Sequence, residues 1–124
     1  MPSMRARLAN LAARLLVKRV TNAARFDLAK VRRAMASRLT MPAALPRGVR
    51  VEPSREPGLP GEWLRPRDAA NGVAMLFIHG GGFIAGSPRT HRSFTAWLAE
   101  ASRVPVFSLE YRLAPEHPYP AALD

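Results

Sequence analysis

The sequence predicts an α/β fold built around a strand–helix–strand crossover, and three stretches carry that expectation. "VAMLFI" (Val73–Ile78) is an apolar run without alternation, as expected of a strand covered on both faces. An amphipathic stretch follows, with Phe94, Trp97, Leu98 and Ala101 on one side and Ser87 or Thr90 placed to cap it. "VPVFSLEY" (Val104–Tyr111) supplies the next strand, and its Pro105 is tolerable near a strand start. Strand, helix and strand in that order make a parallel βαβ unit with a right-handed crossover.

The elements upstream are shorter. "VRVE" (Val49–Glu52) alternates as a strand does, and "EWLRP" (Glu62–Pro66) is a second candidate. "PSREPGLPG" between them and "RDAANG" (Arg67–Gly72) after them read as turns. Nearer the N-terminus, Met4, Leu8, Leu11 and Leu15 recur at helical spacing and predict a helix over 4–20. Leu28, Val31, Met35 and Leu39 predict another over about 26–39, ended by Thr40, Pro42 and Pro46.

Composition narrows the function classes. A chain of 124 residues is one small domain or part of a larger one, and 48% apolar content argues against wholesale disorder. With no cysteine, neither a disulfide framework nor a thiolate zinc site can form, which fits a reducing, cytoplasmic location. No stretch approaches eighteen uninterrupted apolar residues. The net charge of +10 is lopsided: residues 1–40 hold ten Lys/Arg against Asp27 alone. Residues 1–45 are therefore read as a basic helical segment ahead of a main unit over 46–124. That segment has three readings: a packed lid, a helix lying on an anionic membrane surface, or a transit-like peptide. Nucleic acid is an unsuitable partner, because the basic stretch lacks interleaved aromatics and any reader motif.

The chemistry concentrates in "FIHGGGF" (Phe77–Phe83), where a predicted strand runs into a histidine and three glycines. Consecutive glycines are entropically costly, so the backbone there must need freedom from side chains. Ligands of open α/β sheets bind beyond the carboxyl ends of strands, where this loop falls. A phosphate cradle would need GxGxxG or GxxxxGK[ST], and neither occurs. Bare N–H groups aimed at a developing oxyanion suit the pattern better, each donor being worth roughly 3–4 kcal/mol in the transition state. A glycine turn without chemistry is the alternative.

Together with "EYRLAPEHPYPAALD" (Glu110–Asp124), the stretch "HGGGFIAGSPRTHRSF" resembles the hormone-sensitive-lipase-like branch of the α/β-hydrolases, closely over 61–124. The resemblance implies the N-terminal part of an α/β-hydrolase fold, about four strands preceded by cap-like helices. It implies a serine carboxylesterase or lipase acting on small-molecule esters without metal or organic cofactor. The N–H groups of Gly81 and Gly82 would face the oxyanion, Gly80 would permit the turn, His79 would organise the loop and Phe83 would wall the substrate pocket. Tyr111, Arg112, Pro115, Glu116 and Pro118 would form a structural belt under the loop, with Arg112 paired to Glu116.

The family's nucleophile sits on a GxSxG elbow, followed in the chain by an Asp and then a His, and no GxSxG occurs in these residues. Ser87, Ser93 and Ser108 read as structural, and His91 and His117 precede the position of the family's base. The expectation is a front part of an enzyme, inactive alone, with the strand at 73–78 left as an apolar edge. A non-catalytic hydrolase-like binding module and a basic membrane-surface protein are the rival functions.

Overall fold

The computed structural model describes Met4, Asn10, Leu11, Arg14, Leu15, and then residues 27–39 and 44–124. The helix expected over 4–20 lies largely outside them. Of its apolar stripe, Met4, Leu11 and Leu15 are described, and all three are exposed.

The elements in chain order are α1 (Leu28–Leu39), β1 (Val49–Pro53), β2 (Gly61–Pro66), β3 (Met75–Ile78), α2 (Pro88–Ser102) and β4 (Val106–Leu109). The strands form one sheet in the spatial order β1-β2-β4-β3. β2 pairs antiparallel with β1 and with β4, while β3 pairs parallel with β4. The parallel pair joined through α2 is the crossover expected from the sequence. Among the described residues β3 has one neighbour and forms one edge of the sheet, with β1 at the other.

Local chemistry sets the helix ends. The Asp27 carboxylate accepts the Lys30 N–H at 3.0 Å and so satisfies one of the free donors that open α1. Ser87 and Thr90 cap α2 reciprocally: the Ser87 hydroxyl accepts the Thr90 N–H and the Thr90 hydroxyl accepts the Ser87 N–H. Pro88 opens the helix, where its missing N–H is not needed.

Pairing register aligns Val51, Leu64, Val106 and Met75 in one row across the sheet, facing α2. Leu64, Val106, Ala96 and Ala99 are fully buried and form the core, the two larger side chains each contributing roughly 1.5–3 kcal/mol. The next row holds Glu62, Ser108 and Phe77. Glu62 is only 7% exposed, and its carboxylate accepts Arg92 Nε and Nη2 from α2 at 2.6–3.1 Å, so the buried charge is paired. The Ser108 hydroxyl is fully buried and has no partner among the described residues.

Two expectations need correction. The strand at 73–78 is shorter and covered on one face: Phe77 turns towards α2, whereas Leu76 and Ile78 are 61% and 60% exposed. Among the described residues one helix, α2, packs on this part of the sheet, so β3 alternates between covered and open positions. The helix also presents a different face from the one its bulky residues mark. Thr95, Ala96 and Ala99 are buried, while Phe94 and Trp97 are more than half exposed. Small side chains let α2 approach the sheet closely, and the large ones are displaced to its flank, where Phe94 meets Phe77 at 5.7 Å.

Candidate active site

β3 delivers its last residue, Ile78, to the sheet end, and the chain then makes a tight turn before α2. Gly81 has φ 139°, Gly82 φ 62° and Gly86 φ 95°. At Gly81 a Cβ would overlap the Ala85 carbonyl, and at Gly86 it would press on the Gly80 carbonyl and the His79 ring. Steric exclusion therefore explains glycine at both positions. Gly80 differs: it lacks a positive φ and has open space around it. The Gly81 carbonyl accepts the N–H groups of Ile84 and Ala85 at 3.2 and 3.1 Å, closing the turn. Among the described residues, no acceptor meets the N–H of Gly81 or Gly82.

His79 is buried under this turn at 3% exposure. Its Nδ1 lies 3.1 Å from the Gly80 carbonyl, an acceptor only, so the proton is on Nδ1. Burial holds its pKa below the ordinary histidine value, the Gly80 bond works upward against that, and nearby His91 pushes further down. The neutral ring stacks on Tyr111 at 4.2 Å and 16° and on His91 at 5.6 Å. Tyr111 in turn donates its hydroxyl proton to the His79 carbonyl at 2.7 Å. Phe83 stands beside Tyr111 at 5.8 Å, is 58% exposed and has φ 60°. Its carbonyl accepts the Ala114 N–H at 2.8 Å, joining the turn to the segment after β4. Tyr111 also lines a cavity of about 480 Å³ together with Leu109, Ala122 and Leu123, and no residue of the 79–86 turn lines it.

The expected pair of Arg112 and Glu116 does not form. Arg112 donates to the Ala121 carbonyl and to Asp124, both at 3.0 Å. Glu116 is instead held by Arg32 of α1, at 2.7 Å to each carboxylate oxygen, which lowers its pKa to about 2. Arg32 carries no signal in sequence beyond being one of many basic residues. Its role depends on where α1 lies relative to a turn 52 residues further on. Ser87 is the α2 cap, and Ser93 lies within α2. His117 sits in an exposed turn whose N–H donates to the Leu113 carbonyl. Among the described residues no cluster of three or more His, Asp or Glu is arranged to hold a metal ion, and no helix is long and apolar enough to cross a membrane.

A sheet ordered β1-β2-β4-β3, a helical crossover, and a glycine turn at the carboxyl end of β3 define part of an α/β-hydrolase. Residues 75–124 match a family model described as the alpha/beta hydrolase fold. An esterase of Acinetobacter venetianus is 41% identical over 76 residues, which are 61% of this chain and 25% of that protein. Hormone-sensitive lipase of Mus musculus is 43% identical over 61 residues, covering 48% of this chain and 8% of the lipase. The crystal structure of a hormone-sensitive lipase from a metagenome library superposes with a TM-score of 0.70 at 36% identity, over 90% of this chain and 37% of that one. The chain is similar to hormone-sensitive-lipase-like α/β-hydrolases over these stretches. It spans about a quarter of the length of the Acinetobacter esterase.

Proposed function

We propose that this chain supplies the oxyanion-binding part of a serine carboxylesterase or lipase, with the N–H groups of Gly81 and Gly82 as the donors. The observation that carries the reading is that neither N–H has an acceptor among the described residues, while the turn that holds them is closed by the bonds of the Gly81 carbonyl to the Ile84 and Ala85 N–H groups. As an ester carbonyl becomes tetrahedral its oxygen takes on negative charge, and donors already in place stabilise it without reorganisation. His79 organises the loop from beneath, through its bond to the Gly80 carbonyl and its stacking on Tyr111. Phe83, exposed beside the turn, walls the acyl or alcohol pocket. The esterase and lipase names of the relatives support the substrate class, a small-molecule carboxylic ester.

An oxyanion hole stabilises charge but cannot form an acyl-enzyme without a nucleophile. Residues 1–124 contain no GxSxG elbow, so these residues alone do not turn over an ester. The test uses a short-chain p-nitrophenyl ester. A protein carrying this chain together with a GxSxG elbow should hydrolyse it, whereas residues 1–124 should give neither burst nor turnover. Gly81→Pro or Gly82→Pro in the active protein removes one donor and, because proline cannot take φ 139° or 62°, also reshapes the turn, so kcat should fall by at least roughly 10²–10³. Full activity in both proline variants, with folding verified by circular dichroism, would sink the reading.

A further inference from the structure

We infer that Arg32 is a positioning residue that fastens the 81–84 turn to the 113–116 segment, so that helix α1 sets the geometry of the two glycine amides. Its catalytic consequence rests on the oxyanion reading above, and its structural content does not. Arg32 lies in the second turn of α1, and its guanidinium reaches two separate stretches of chain. Nε donates to the Ile84 carbonyl at 2.8 Å and Nη2 to the Ala114 carbonyl at 3.1 Å. Nη1 and Nη2 also grip the Glu116 carboxylate at 2.7 Å each.

The same two stretches are joined directly, because the Ala114 N–H donates to the Phe83 carbonyl at 2.8 Å. Two successive carbonyls of the turn, Phe83 and Ile84, are therefore held from outside, the second by Arg32. Phe83 needs such support. Its φ of 60° lies in the left-handed region, which a residue with a Cβ enters only when its surroundings impose it. Gly82, with one of the two free amides, immediately precedes it.

A planar fork of five N–H donors can serve two carbonyls and a carboxylate at once. A lysine ammonium on a flexible stem cannot reproduce that fixed geometry. Glu116 keeps its charge down to about pH 2, so the clamp stays charged on both sides at any working pH. Displacing α1 would release the Ile84 carbonyl and loosen the turn.

Hydrogen exchange read by mass spectrometry on the full chain tests this. The reporters are the amides of Ile84 and Ala85, which bond the Gly81 carbonyl, and that of Ala114, which bonds Phe83. Arg32→Ala should speed their exchange by about tenfold or more and leave β2 and β4 unchanged. Arg32→Lys, which keeps the charge and guards against a folding failure of the alanine variant, should resemble it. Unchanged reporters in both variants, or an equal rise in β2 and β4, overturns the inference. In an active protein carrying this chain, Arg32→Lys should lower kcat about tenfold with KM within about twofold, and an unchanged kcat overturns the catalytic half. Activity lost in Gly82→Pro but kept in Arg32→Lys would condemn the clamp alone. Activity kept in Gly82→Pro would condemn the oxyanion reading instead.

Discussion

Gly81→Ala should open the turn between β3 and α2, and Gly80→Ala should not. At Gly81 the backbone stands at φ 139°, and an added Cβ would overlap the Ala85 carbonyl group and lie 3.3 Å from the Gly86 nitrogen. These are backbone atoms and cannot swing aside as a side-chain end would. The Gly81 carbonyl also anchors the N–H groups of Ile84 and Ala85, so relief requires breaking both bonds. A disfavoured backbone conformation costs about 1–3 kcal/mol, and each lost hydrogen bond about 1 kcal/mol. Because an opened turn escapes part of the strain, the net local cost should be about 2–4 kcal/mol. A Cβ at Gly80 meets nothing within 4 Å, and φ there is not positive. Gly80→Ala should therefore be neutral or stabilise by about 0.4–1 kcal/mol through the unfolded chain. Limited proteolysis within 79–87 reports the turn, and Trp63 fluorescence in a Trp97→Phe background, from a ring packed at 4.9 Å on Phe107, reports the sheet. At sub-micromolar concentration Gly81→Ala should be cut in the turn while the sheet signal persists. Equal protease resistance of the parent and Gly81→Ala, or equal damage in the two variants, would refute the reasoning.

Three further outcomes are expected. Residues 1–124 alone should self-associate through the open edge of β3, where Leu76 and Ile78 face outward, and light scattering should fall on Ile78→Lys; a parent that stays monomeric at high concentration contradicts this. Ser108→Ala should be neutral or stabilising by about 1 kcal/mol in urea unfolding, because it removes a buried hydroxyl with no partner among the described residues; a loss of more than about 1 kcal/mol would mean that the hydroxyl is bonded. Acidification should loosen the turn through His79, whose folded pKa is depressed by burial, so that the unfolded state binds the proton more readily. That contribution is present above the unfolded value of 6.5 and is lost as the pH falls below it, so 79–87 should become more protease-sensitive there; His79→Gln should abolish the dependence, and an identical profile in the variant would assign it elsewhere.

Much of the fold was legible in the sequence because its signals are local. Period-two and period-3.6 patterns, the Ser87–Thr90 cap and the turn residues each act within a few positions, and together they led to the βαβ unit and the position of the glycine turn. The candidate donors were legible for the same reason. HGGG marks a backbone turn free of side chains; excluded volume requires glycine at Gly81 but not at Gly80, and among the described residues no acceptor meets the N–H of Gly81 or Gly82. Burial was less legible. Phe94 and Trp97 mark the apolar side of α2 by composition, yet Ala96 and Ala99 are the residues that meet the sheet. Periodicity reports which side of a helix is apolar and says nothing of how closely a neighbour approaches.

What the sequence by itself determined is the order of the elements, the parallel crossover and the side-chain-free turn at the end of β3, all consequences of short-range sterics and hydrogen bonding. Only the tertiary structure decided the partners of charged groups. Arg32 and Glu116 lie 84 positions apart and meet at 2.7 Å, while the nearer Arg112 turns to Asp124. A guanidinium selects whichever carbonyls and carboxylates converge on its fork, and that convergence exists only once α1, the turn and the segment after β4 have been brought together.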